Sequence, residues 1–231
     1  MKTKLRLSLL FGVALLAASC GGLKIPGTNS ASYTDRNSTT SRGPLQPSGD
    51  PREDVRQAFL KLNAAKSWRS RVTTSAGKLI EIEFAAPDKF HTKGGSTEGQ
   101  ASLPEMIIVG KDTFFKLGSM PWRKAPTGMS IGEIVQQTRR PDVAEEMTKY
   151  QEIKFAGSET FAGVPMRVYE FKRQDEKGKL SAGKIWISAS DGLPQRLESH
   201  EETESDSKPI TTRMTVVYSD YNTDIKIEPP A

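Results

Sequence analysis

Apolar positions along residues 50–231 follow two periods. Over residues 55–65, Val55, Ala58, Phe59, Leu62 and Ala65 fall three or four apart and form one stripe on a helix. Asp50 suits the N-cap, Pro51 the first helical position, and Glu53 would close a capping box, so the spacing predicts a helix over Pro51–Ala65. From Ser67 the period drops to two. Strands are expected at 67–74, 78–86, 89–93, 103–109, 112–117 and 120–124. A second series is expected at 152–159, 164–173, 180–188, 193–202 and 210–221. In the second strand Ile80, Ile82 and Phe84 share one face, and Leu79, Glu81 and Glu83 share the other. One face is therefore dry and one wet, as in an antiparallel sheet. Between the two series, Met129–Arg139 carries Ile131, Ile134, Val135 and Thr138 on one side, and Pro141–Tyr150 carries Val143 and Met147. These predict two further helices, a candidate lid over the sheet.

The N-terminus changes which residues count for the fold. Lys2, Lys4 and Arg6 precede an apolar run, Leu7–Ala18, which ends in small residues before Cys20. That order is the grammar of a secretory signal. The run is too short for a transmembrane helix, which needs roughly 20 residues. Leu16-Ala17-Ala18-Ser19-Cys20 resembles a bacterial lipobox, in which cleavage leaves the Cys as an acylated N-terminus. The alternative is an ordinary signal with a chance Cys. Against it, this is the sole Cys of 231 residues and it stands where a lipobox requires it. Residues 21–50 are rich in Gly, Ser, Thr, Asn and Pro and cannot bury enough surface to offset their ordering entropy. They read as a tether with a reach of roughly 30 Å. The expected organisation is a signal peptide at 1–19, a lipidated Cys and tether at 20–49, and one domain at 50–231.

Charge follows from this division. The chain holds 33 Lys and Arg against 28 Asp and Glu. The three cations of residues 1–19 leave with the signal, so the mature chain is near neutral and carries no argument for nucleic acid. With Cys20 acylated there is no thiolate nucleophile and no disulfide. The two His, His91 and His200, are far apart, and no metal-binding motif is present, so no metal or cofactor is expected. Gly94–Gln100 lacks the Lys-Ser/Thr of a phosphate loop, and no Ser sits in a nucleophile motif. Enzyme activity is not expected.

The C-terminal third carries a resemblance. Gly157-Ser158-Glu159-Thr160-Phe161-Ala162-Gly163-Val164-Pro165 precedes Val168-Tyr169-Glu170-Phe171, and then come Gly183-Lys184-Ile185-Trp186-Ile187-Ser188 and Asp191-Gly192-Leu193-Pro194-Gln195-Arg196-Leu197-Glu198. Tyr218-Ser219-Asp220-Tyr221-Asn222 and the closing Pro229-Pro230 complete the set. The order resembles the lipoprotein-carrier superfamily, which includes periplasmic lipoprotein carriers and receptors, mycobacterial lipid-carrying lipoproteins, and the amino-terminal domain of sigma-factor regulators. The resemblance implies an α+β fold, an open antiparallel half-barrel with a few helices covering its concave face. It also implies an extracytoplasmic protein held at the membrane through Cys20, at the outer membrane in a diderm cell. A lipid or an acylated protein would bind in an apolar cavity. The alternative is a protein-interaction or sensor module with no lipid ligand. On alternation, the expected lining is Ile80, Ile82, Phe84, Met106, Phe114, Val168, Ile187, Leu197, Met214 and Val216, with Ile131 and Val135 from the lid. A register slip of one residue would exchange any of these for its neighbour.

Overall fold

The computed structural model describes residues 47–96, 104–126, 150–174, 180–205 and 208–230, all within one compact unit, Ser41–Ala231. Cys20, the signal and most of the tether lie outside them, as do residues 129–139 and 141–149 with Ile131 and Val135.

The helix α1 spans Pro51–Ala64. Its predicted stripe is buried at every position, from Val55 through Ala65. Asp50 caps the helix by accepting the Arg52 N–H at 2.9 Å. The capping box does not form. Ser48 Oγ already accepts the Asp50 N–H at 3.1 Å, and the Glu53 carboxylate turns to Arg56 at 2.6 Å and Gln57 at 2.8 Å.

Among the described residues eleven strands follow. They are β1 (Ser67–Thr74), β2 (Lys78–Ala85), β3 (Lys89–Ser96), β4 (Glu105–Val109), β5 (Asp112–Lys116), β6 (Arg123–Lys124), β7 (Glu152–Phe161), β8 (Val164–Gln174), β9 (Leu180–Ser188), β10 (Pro194–Ser205) and β11 (Lys208–Ser219). They form a single sheet in the order β6-β5-β4-β3-β2-β1-β11-β10-β9-β8-β7. Each expected strand is present; β3 runs on through Gly94 and Gly95, which the sequence assigns to a loop. The sheet consists of two meanders, β1–β6 and β7–β11, joined where β1 pairs antiparallel with β11. Short β6 forms one edge and ten-residue β7 the other. The sheet is thus open and antiparallel, as the resemblance implies. Among the described residues one helix covers it; the two further helices expected, at 129–139 and 141–150, fall outside them but for Tyr150.

Cross-strand partners share a face, so the register sorts the side chains. Trp68, Phe84, Phe90 and Ile108 are successive partners across β1–β4. Leu197, Ile185 and Tyr169 continue the same face across β10–β8. Together with the α1 stripe these residues make the main core. Trp68 lies 5.5 Å from Phe84, and Phe84 lies 4.9 Å from Phe90, a tilted aromatic row in which each ring buries on the order of 150–250 Å².

The opposite, outer face has apolar layers of its own. The C-terminal segment after β11 folds back across it. Asn222 donates its N–H to Ser67 O and accepts the Lys66 N–H, and Ser67 Oγ donates to Thr223 O. This sets Ile225 and Ile227 against Ile107, with Val109, Phe114 and Trp122 packed around them. A second layer, Met166, Val168 and Trp186, is roofed by Phe161 and by the Arg196 guanidinium, which stands 5.0 Å from the Trp186 ring.

Candidate apolar site on the helix-side face

Antiparallel alternation places the last residue of β5 and the first of β7 at the same end of the sheet. Arg52 donates to Tyr150 O at 2.6 Å and Gln151 O at 2.8 Å, directly before β7. The chain therefore enters α1 at this end, here termed the entry end. At the other end Lys61 donates to Asp191 O at 2.5 Å, so the C-terminal half of the helix points to the opposite end of the sheet.

Eight of the expected lining residues stand together on the helix-side face. They are Ile80, Ile82, Phe84, Met106, Ile187, Leu197, Met214 and Val216. Their packing is graded. Phe84 and Ile187 are fully buried in the core beneath α1. Towards the entry end, Ile80, Met106 and Met214 are only partly buried, beside Val72 and Phe115. This partly buried apolar strip across β11, β1, β2, β4 and β5 is the candidate site. Its buried polar neighbours, Thr92 and Ser70, are uncharged, and the cations that share its face, Lys78 and Arg123, stand exposed at its margin.

Two residues are corrected. Phe114 and Val168 project from the outer face, Phe114 into the layer under the C-terminal segment and Val168 into the layer with Trp186. In β5 the helix-side position is Phe115, paired with Met106. In β8 it is Tyr169, paired with Ile185. The Val168 placement could have been read from Glu170 and Lys172, which share its parity and belong to the wet face. Phe114-Phe115 offers no such signal. Val72, missing from the expected lining, pairs directly with Ile80 and Val216.

One polar cluster lies under the first turn of α1. Tyr169 Oη donates to Asp54 Oδ2 at 2.6 Å, and the Arg167 guanidinium lies 3.6 Å from Asp54 Oδ1. The Ser48 N–H also donates to this carboxylate. Burial, and then the adjacent carboxylate, pushes the Tyr169 phenol well above its ordinary range. The phenol donates across the gap and pins α1 to β8.

The outer face is charged but internally paired. One row crosses five strands. Arg69 bonds Glu83 at 2.7 Å, His91 sits 3.3 Å from Glu83 and 2.7 Å from Glu105, and Lys116 meets Glu105 at 2.8 Å. Burial pushes both carboxyls up, but hydrogen bonds from Arg69 and His91, and from Lys116 and His91, hold Glu83 and Glu105 below the usual carboxylate value. A shallow groove of about 430 Å³ lies further along this face, lined by Glu152, Lys154, Glu170, Lys172, Lys184 and Glu198. Lys184 pairs with Glu170 at 3.0 Å, and both Lys154 and Lys172 pair with Glu152, while Arg213 and His200 also line the groove. Among the described residues there is no cluster of side chains able to hold a metal, and no helix long and apolar enough to cross a membrane.

No family model and no curated protein matches this sequence. Solved structures do. The lipoprotein LppX of Mycobacterium tuberculosis superposes with a TM-score of 0.56 at 15% identity, over 79% of this chain and 100% of LppX. LprF of Mycobacterium bovis superposes with a TM-score of 0.57 at 13% identity, over 82% of this chain and 100% of LprF. These similarities establish architecture, and architecture alone does not carry activity. The chain therefore has the fold of LppX and LprF.

Proposed function

We propose that this chain is an extracytoplasmic lipoprotein, anchored to the membrane by an acyl group on Cys20, that binds or transfers a lipid or an acylated protein and catalyses no reaction. In this reading residues 1–19 are removed, residues 20–49 form the tether, and the domain from residue 50 carries the ligand. The observation that supports it best is the partly buried strip of Val72, Ile80, Met106, Phe115 and Met214 on the helix-side face. These side chains are apolar, share one face as two register pairs, Val72 with Ile80 and Met106 with Phe115, with Met214 on the next strand, and stand outside the main core cluster. Each acyl methylene buried there is worth about 0.8 kcal/mol, so a long chain binds without a charged contact. The fold shared with a protein named a lipoprotein agrees with the lipobox of Cys20.

Two experiments test the parts separately. Growth with a fatty-acid analogue labels the wild type and leaves Cys20→Ala unlabelled if Cys20 is the anchor; equal labelling refutes the anchor. Solvent extraction of the purified Cys20→Ala chain followed by mass spectrometry recovers a bound lipid if the strip is a ligand site. Repeated extraction without lipid, together with no exchange of added lipid, favours the interaction module instead.

A further inference from the structure

We propose that the turn between β5 and β6, Leu117–Trp122, docks into the interface of an anionic lipid bilayer and turns the entry end of the sheet towards the membrane. Leu117 is 48% exposed and Met120 56% exposed, the two most exposed large apolar side chains among the described residues. They belong to one tight turn, in which the Met120 N–H bonds to Leu117 O at 3.1 Å and Gly118 takes a positive φ of 56°. At that φ a side chain would be strained, so glycine lets the turn close. Neither contributes to a core cluster. The base of the turn is fixed. Trp122 packs against the layer of Ile107, Ile225 and Ile227, and Lys116 Nζ stands 5.0 Å from its ring.

The charge around the turn selects the occupant. Residues 116–124 read Lys-Leu-Gly-Ser-Met-Pro-Trp-Arg-Lys, with three cations and no carboxylate. Lys116 and Lys124 also meet Glu105 and Asp112, each at 2.8 Å, and Arg123 is exposed beside them. An apolar tip with a Trp at its base and cations on both flanks matches the depth profile of a bilayer, in which chains lie below, the indole at the headgroup level, and anionic phosphates above. A protein partner would need a socket for two apolar side chains ringed by acids; a bilayer supplies both layers at once.

Position agrees. The turn follows the last residue of β5 and so lies at the entry end, the end at which the chain enters α1. Ile80, Met106, Phe115 and Met214 of the candidate site lie towards the same end. With the turn in the headgroups, an acyl chain would pass between bilayer and strip over a short path. The orientation rests on the reading of Cys20 as an anchor and of the strip as a lipid site; the membrane contact of the turn does not.

The test uses the full lipoprotein and its Cys20→Ala form with vesicles of phosphatidylglycerol and dibrominated phosphatidylcholine. Trp68 and Trp186 are buried, so bilayer quenching of tryptophan reports Trp122. Expected is quenched emission that disappears in Trp122→Phe. It should fall at least several-fold in Leu117→Asp/Met120→Asp, and weaken when phosphatidylglycerol is omitted, while the near-ultraviolet dichroism of the double variant stays that of wild type. Vesicle-bound protein whose Trp122 is unquenched, or whose quenching survives the double variant, overturns the proposal. Failure of the anchor reads differently, as equal vesicle-bound fractions for wild type and Cys20→Ala.

Discussion

Gly183 is where the close approach of β9 and β10 can be tested by a single methyl group. It sits in β9 opposite Phe171 of β8 and Ser199 of β10. A Cβ built there would meet Phe171 Cζ at 2.6 Å and would come closer still to the Glu198 carbonyl. The first contact can be relieved by rotating a ring. The second cannot, because the obstacle is the backbone of the neighbouring strand and β9 and β10 must part. Overpacking ordinarily costs 1–3 kcal/mol, and a backbone obstacle belongs at the upper limit, so Gly183→Ala should cost about 3 kcal/mol. For a domain of this size that is a fall in Tm of roughly 6–12 °C. The assay is thermal unfolding by circular dichroism in four chains: wild type, Gly183→Ala, Phe171→Ala and the double variant. Phe171→Ala alone should cost about 3–5 kcal/mol, since the ring is buried in the main core. In its background Gly183→Ala should still cost at least about 1 kcal/mol, because the Glu198 carbonyl remains. A Tm change under about 1 °C for Gly183→Ala, or complete rescue by Phe171→Ala, would refute the close approach of β9 and β10.

Two further outcomes follow from the polar groups. Tyr169→Phe removes the hydroxyl that holds Asp54 and should destabilise by about 2 kcal/mol, read as a fall in the denaturation midpoint with an unchanged m-value. Glu83 and Glu105 have folded pKa values below their ordinary ones, so the unfolded state binds more protons in the window beneath about 4.5. The stability they contribute is complete above that window and is lost as pH falls through their folded pKa values. Lys116→Met should bring Glu105 back towards its ordinary value and flatten the acid limb of Tm against pH; an unchanged limb would show that the pair contributes nothing.

Much of this architecture was legible in the pattern of residues. The α1 stripe, its Asp50 cap and all eleven strands follow from two periods and a few turn residues, because on most strands one face is dry and the other charged. Glu81 and Glu83 against Ile80 and Ile82 leave no choice of face. What misled was burial on both sides. Phe114 is apolar because Ile225 and Ile227 of the C-terminal segment cover it, and Val168 because Trp186 and Met166 share its layer beneath Arg196. Alternation assigns one dry face and cannot say that a distant segment will dry the other. The failed capping box has the same origin in competition. Ser48 took the N–H that Glu53 would have accepted, and Arg56 offered Glu53 a charged partner within its own helix turn.

The central claim is that an acyl chain lies on the helix-side face at the entry end, and parity supplies its control. Titration of the Cys20→Ala chain with a fluorescent long-chain fatty acid should give saturable binding that is lost in Ile80→Asp/Met106→Asp and retained in Leu79→Asp, one position away on the outer face. Absence of saturable binding in the parent chain, or equal loss in the two variants, would contradict the account.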